Sequence, residues 1–461
     1  MSILHLSAVS RWMKKRLRYR SPARIAITQS SMLLNLPDEM ILRILSHLDV
    51  TEILACAKRI VREATVDVAQ NLVVVFTSVL GTWSAEFHLL SLDDTKPHHF
   101  AGNSVFHSSL LTPGPDDHPS IMIKTLQIRE RYLSYVIASH QWGSSDVEIW
   151  DWTVQEKIWS HHYESWWIMQ AIIGDDIIIV SSAARNTLDV YDFTSDSAHN
   201  RPLFSISLPP ATGGKAVRIV DMHTSNPPKS TFLHPVGPSR PFQVDPASAI
   251  ISVEFTVRDV SSIVSGFHGA PHDFTLLIPH STIRTLVGST TFPRGHLYPW
   301  SEWGPRGSAL LHCTEAQSAH VVLRPYGPLF PVVCMDKRGP PPWPAAFIDL
   351  NPWARYRPPA EPPLDSDQGE EEAQAARERD AEVQRRVRPM LFDDPDEPER
   401  YREFFAAPVR TKLLYTVHTG PGVFFIGSRA TTRVDAVDGG LVAVYEHEEE
   451  NRTLGFDIYT V

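Results

Sequence analysis

Two short stretches of this chain match position by position. Val147-Glu148-Ile149-Trp150-Asp151-Trp152-Thr153 and Leu188-Asp189-Val190-Tyr191-Asp192-Phe193-Thr194 each read apolar, acidic, apolar, aromatic, Asp, aromatic, Thr, at an offset of 41 residues. Each follows an apolar run led by a charged turn. Arg129-Glu130-Arg131 precedes Leu133–Ala138, and Gly174-Asp175-Asp176 precedes Ile177–Ser181. A strand–turn–strand unit repeated at that spacing is the pattern of a β-propeller blade. An earlier pair of runs, Asn71–Phe76 and Phe87–Asp93, has the same shape. The Pro/Gly/Asp loop Thr112–Asp117 accounts for its looser offset.

Past residue 200 the repeat weakens. Ile250–Phe255 with Phe274–Ile278 reads as one further blade, and Ala309–His312 with His320–Leu323 as another. Gly440–Tyr445 and Leu454–Val461 end the chain on strands, which suits a ring closed by the two ends of the chain. At 40–50 residues per blade, the stretch from Val66 to Val461 holds about seven blades. A β-sandwich or a pair of barrels is the alternative architecture.

Composition agrees with a large β body. Of 461 residues, 43% are apolar and 21% charged, enough for a sizeable core and too few charges for a disordered chain. The net charge of −10 argues against a general nucleic-acid binder. Cys56, Cys313 and Cys334 are too scattered for a disulfide framework or a zinc motif. The longest apolar run, Leu72–Leu80, is far short of a membrane span. These features fit a reducing compartment, cytoplasm or nucleus.

The segment Leu34–Ile60 is different in kind. Pro37 suits the first position of a helix, and Asp38 and Glu39 suit its positive end. Met40, Ile41, Ile44, Leu45 and Leu48 fall on one face. Asp49 with Glu52 has capping-box spacing, so a second helix starts near Val50, with Ile53, Leu54 and Ala57 on its apolar side. Six such side chains buried at about 1.5–3 kcal/mol each gain roughly 10–15 kcal/mol. Ordering the segment costs at least as much. The helices therefore need a second surface.

Leu36-Pro37-Asp38-Glu39, Ile41-Leu42, Ile44-Leu45 and Leu48-Asp49 before a second leucine-bearing helix resemble the F-box. The resemblance implies docking on the Skp1 adaptor of a cullin–RING ubiquitin ligase. It assigns adaptor contact to Leu36, Pro37, Ile41, Ile44, Leu45, Leu48, Ile53 and Leu54. The family continues into a third helix, whereas Lys58–Arg62 here runs into strand-like sequence. Trp150-Asp151 gives the strand region a resemblance to WD40-like propellers.

The expected organisation is a basic, flexible tail at 1–30, F-box-like helices at 31–65 and a propeller at 66–461. The tail also reads as a nuclear-import patch or a transit-like leader. Residues 358–409 interrupt the strands with Pro-rich and charged sequence, read as a solvated insert with an exposed helix. His98-His99 and His161-His162 lack metal-ligand spacing, and no phosphate-binding glycine loop or nucleophile elbow occurs. No catalytic, cofactor or metal residues are expected. The crowded Trp142, Trp150, Trp152, Trp159, Trp166 and Trp167 read mainly as packing between blades, with some available for recognition. The expected function is a substrate receptor of an SCF-type ubiquitin ligase that binds a target protein and performs no bond chemistry. The alternative is a propeller scaffold whose helices pack on its own blades.

Overall fold

The computed structural model describes residues from Arg59 to Thr460. It leaves out 1–58, 109–120, 226–247, 261–271, 314–321, 334–342, most of 352–401 and shorter stretches. The basic tail and the eight adaptor-contact residues from Leu36 to Leu54 lie outside the described residues.

The described chain is mainly β. The first sheet is β1 (Arg59–Asp67), β2 (Leu72–Val79), β3 (Ala85–Ser91) and β4 (Val105–Ser108), neighbours in that order. The second repeats this plan with β5 (Ile121–Arg129), β6 (Tyr132–Ser139), β7 (Ser144–Asp151) and β8 (Glu156–Tyr163). The third holds β9 (Gln170–Ile173), β10 (Ile177–Ser182), β11 (Thr187–Asp192) and β12 (Phe204–Ser207). The fourth begins with β13 (Lys215–Thr224), β14 (Ile250–Asp259) and β15 (His272–Pro279). Then come α1 (His280–Gly288), β16 (His296–Tyr298), α2 (Trp300–Gly307) and β17 (Ala309–Cys313). β16 returns to the third sheet as a parallel neighbour of β12, and β17 completes the fourth beside β15. The remaining strands are β18 (Val322–Arg324), β19 (Leu329–Val333), β20 (Trp343–Asp349), β21 (Thr416–His418), β22 (Phe424–Ile426), β23 (Thr431–Val437), β24 (Gly440–Glu446) and β25 (Leu454–Thr460). β19 to β22 form one sheet; β18 joins β23, β24 and β25 in another.

The described strands thus make six sheets, against the seven blades expected. β17 and β18 do not share a sheet as their sequences suggested. β17 continues the hairpin of β14 and β15, while β18 pairs in parallel with β23. Among the described residues no sheet joins the two ends of the chain: β1 stays with β2, and β25 with β24. β1 also starts at Arg59, ahead of the Val66 boundary read from sequence.

Successive sheets pack face to face, and period-two alternation shows how. On β6, Leu133, Tyr135 and Ile137 pack with Phe76, Phe87 and Phe106 of the first sheet. The intervening Tyr132 and Val136 pack with Ile172, Ile178 and Tyr191 of the third. On β10, Ile178 and Val180 face the second sheet, while Ile177 and Ile179 join a core with Ile251, Phe255 and Leu276 of the fourth. A strand covered on both faces needs apolar residues at consecutive positions, hence the unbroken Ile177–Val180 run. The first strands of successive sheets lie side by side, β1 against β5, β5 against β9 and β9 against β13.

The repeated motif closes its hairpins in one way. Asp151 Oδ1 accepts from the Thr153 amide (3.0 Å) and hydroxyl (2.5 Å), and Asp192 Oδ1 from the Thr194 amide (2.9 Å) and hydroxyl (2.8 Å). The following aromatic then turns back: Trp152 N donates to Arg131 O at 3.0 Å, and Phe193 N to Asp176 O at 2.9 Å. Asp–x–Thr therefore terminates the strand through an Asx-type turn. The first acid of each motif is buried and accepts hydroxyl hydrogen bonds. Ser108 donates to Glu148, and Thr187 and Ser205 donate to Asp189.

The end of the expected solvated insert is part of the core. Phe404 and Phe405 are buried against Phe274, at 5.7 and 5.1 Å between ring centroids. Thr212 donates its amide to Phe404 O (2.9 Å) and its hydroxyl to Glu403 O (2.8 Å), and Ala406 N donates to Pro210 O (2.8 Å). The two consecutive aromatics and these hydrogen bonds seat the returning chain beside the segment that leads into β13. Gln374 and Glu378, within the insert, are helical and exposed, one turn apart and hydrogen bonded at 2.9 Å.

Candidate interaction site

The adjacent first strands bring together a group of cations and indole rings. Lys124 sits at a β-bulge of β5: the register passes from Ile123↔Ile137 to Thr125↔Val136 and skips it. A bulge re-aims the side chain of its extra residue. Here the Lys124 ammonium lies 4.3 Å from the Trp166 ring centroid and 4.0 Å from that of Trp167. Both tryptophans come from the connection between β8 and β9. The Arg218 guanidinium, on β13, lies 3.8 Å from the same Trp167 ring. The second sheet, the fourth sheet and the connection between the second and third therefore contribute to one cluster.

Hydrogen bonds fix the rings. Trp167 Nε1 donates to Ile219 O at 2.5 Å, and its amide donates to Ser165 Oγ at 3.3 Å. Lys124 Nζ donates to the Trp166 carbonyl. The two indoles meet edge-on at 4.7 Å. Burial pushes the Lys124 amine down to about 7, with the neighbouring Arg218 charge acting in the same direction. Burial also lowers Arg218, helped by Arg258. Among the described residues no carboxylate pairs with Lys124 or Arg218. The ring faces supply part of the missing negative potential, worth about 0.5–2 kcal/mol per cation.

The hairpin turns show the opposite arrangement. Arg284 of α1 grips Asp176, with Nη1–Oδ2 at 2.7 Å and Nη2–Oδ1 at 2.5 Å, and also donates to Ile173 O at 3.1 Å. Buried Arg129 lies in the field of Glu130, Asp175 and Asp67. Cations at the turns have acids close by; among the described residues Lys124 and Arg218 have none paired to them.

The other crowded tryptophans are packing residues, as expected. Trp152 and Trp159 are buried, and Trp150 donates to Glu148 Oε2 at 2.9 Å; Trp142 lies outside the described residues. His98 is buried, bonded to Gln70 O at 3.0 Å and set against Trp152, which is a structural role. Among the described residues no group of three His, Cys, Asp or Glu side chains is placed to hold a metal ion. Sequence reading singled out Trp166 and Trp167 but missed Lys124 and Arg218. Their one signal is a lone cation inside an apolar strand, in Ile121-Met122-Ile123-Lys124-Thr125-Leu126 and Ala216-Val217-Arg218-Ile219-Val220.

Residues 33–58 match the family model of the F-box domain, a match that stops where β1 begins. No curated protein matches the chain at a significant level. Among solved structures it is similar to a prolyl endopeptidase at 9% identity and a TM-score of 0.38, covering 85% of this chain and 39% of that one. The Pyrococcus furiosus Trilobed protease β-propeller domain shares 7% identity at a TM-score of 0.29, with 87% and 93% covered. Drosophila Semaphorin 2a shares 10% at a TM-score of 0.35, with 88% and 69% covered. The chain thus spans well under half of the prolyl endopeptidase it resembles.

Proposed function

We propose that this chain is the substrate receptor of an SCF-type ubiquitin ligase. Its N-terminal F-box docks a Skp1-like adaptor through Leu36, Pro37, Ile41, Ile44, Leu45, Leu48, Ile53 and Leu54. Its stacked sheets, arranged as a propeller, hold a target protein. The observation that carries this reading is the F-box match at 33–58 joined without a spacer to a strand at Arg59. A short connection in sequence suits a receptor, because its contribution is to raise the local concentration of target beside the ligase. The propeller reading is supported by successive face-to-face sheets with neighbouring first strands. The chain performs no bond chemistry itself and works in the cytoplasm or nucleus.

Limited proteolysis of the intact protein, with and without adaptor, separates this from a scaffold role. A receptor is cut within 33–58 when alone and protected when adaptor is added. Equal protection in both conditions means that the helices are already covered by the chain's own sheets, and the receptor reading fails.

A further inference from the structure

We propose that the Lys124–Trp166–Trp167–Arg218 cluster is a docking site for an acidic peptide segment of a partner protein, its carboxylates meeting Arg218 and Lys124 and its neighbouring side chains resting on the indole faces. This deepens the receptor reading and rests on it for the identity of the partner as a target.

Charge complementarity selects the occupant. The whole chain carries −10, yet these two cations share one ring with no acid paired to either among the described residues. Two like charges on the same indole repel, and incoming carboxylates relieve that repulsion. Arg218 is exposed, so a carboxylate reaches it without rearrangement of the fold. A planar guanidinium donates two parallel hydrogen bonds to a carboxylate. Trp166 and Trp167 are partly exposed, and the Trp167 ring is held by its hydrogen bond to Ile219 O, so it gives contact area at little cost in ordering. A nucleic acid would present negative charge too, but it calls for a broad basic face, and the chain as a whole carries −10.

The test is fluorescence anisotropy of a labelled peptide with consecutive glutamates titrated with the full chain. The same peptide with glutamines is the control, and the tryptophan emission of the protein is a second signal. The glutamate peptide is expected to bind, to weaken as salt rises, and to exceed the glutamine peptide at least tenfold. Arg218→Glu, at an exposed position, abolishes this preference while circular dichroism stays unchanged, and Lys124→Met weakens binding. Equal binding of both peptides, or binding indifferent to Arg218→Glu, overturns the proposal. Binding that emerges only after Glu370, Glu371 and Glu372 are changed to Gln also overturns it, since the surface then belongs to the chain's own insert. Adaptor binding measured on the same preparations is independent of the peptide. A preparation that holds adaptor but not peptide refutes this site and leaves the receptor reading standing.

Discussion

Ser108 at the end of β4 donates a 3.0 Å hydrogen bond to the buried carboxylate of Glu148 on β7, so one acid joins two sheets. The same oxygen accepts from Trp150 Nε1 at 2.9 Å and from the Tyr135 hydroxyl, and Lys157 Nζ stands 3.5 Å from the other oxygen. Removing the carboxylate leaves buried donors without an acceptor. Glu148→Ala is expected to cost about 3–5 kcal/mol. Glu148→Gln, which keeps one acceptor, costs less. Urea midpoints of the two variants check the order.

Phe404 and Phe405 return the chain to the core after the long insert. Phe405→Ala is expected to destabilise by about 3–5 kcal/mol, as for other buried aromatics. Substitutions at exposed Gln374 or Glu378 stay within about 0.5 kcal/mol. The two outcomes together, read from thermal melts, separate the anchored end of the insert from its exposed part.

Gly174 in the β9–β10 turn has φ +63°, and an added Cβ would stand 2.2 Å from Arg284 Nη2. Gly174→Val is expected to cost about 1–3 kcal/mol, from left-handed backbone strain and from displacing the arginine off Asp176. In an Arg284→Ala background the second part is already lost. The penalty of the valine therefore shrinks, and a double-mutant cycle measures by how much.

Lys124 gives the stability of the protein a pH dependence. Its amine titrates near 10.4 in the unfolded chain and about 7 in the folded one. Between these values the unfolded chain binds more protons, so stability rises with pH. Below about 7 both forms are protonated, and the unfavourable contribution is fully present. Lys124→Met is expected to flatten the rise between pH 7 and 9.5, roughly the span of the shift, in urea midpoints taken across that window. Arg218, the charge beside Lys124, stays protonated throughout and adds no slope of its own.

Local pattern made much of this fold legible. The runs at 72, 87, 133, 147, 177, 188, 250 and 274 are strands, and taken in successive twos they pair as hairpins, whereas the runs at 309 and 320 do not pair with each other. The motif repeated at 41 residues was legible as strand; that its Asp–x–Thr end forms the same turn twice, one short side chain bonding its own backbone two residues on, came from the structure. Pairing between distant segments left no such trace. β16 and β18 are three residues long and pair in parallel with strands far away in sequence. Nothing in Val322-Leu323-Arg324 specifies Arg433-Val434-Asp435 as its partner. α2 gives little helix signal in its composition, since Gly304, Pro305 and Gly307 are poor helix formers. Its signal is the i, i+3 pair Trp300 and Trp303, whose rings meet at 5.2 Å. The glycines are close-packing positions: a Cβ on Gly307 would stand 2.6 Å from Thr282 Cγ2 of α1. Of the candidate interaction site, the tryptophans were visible and the cations were not, because a lone Lys in a strand resembles any surface lysine until the bulge is known.

Adaptor binding by the intact chain tests the central claim most directly. Purified full-length protein titrated with a purified Skp1-like adaptor is expected to form a one-to-one complex. Leu45→Asp and Leu48→Asp should each weaken it at least tenfold, about 1.4 kcal/mol, without changing the far-ultraviolet circular dichroism of the strands. Absence of a complex, or a complex whose affinity neither variant weakens, contradicts the account.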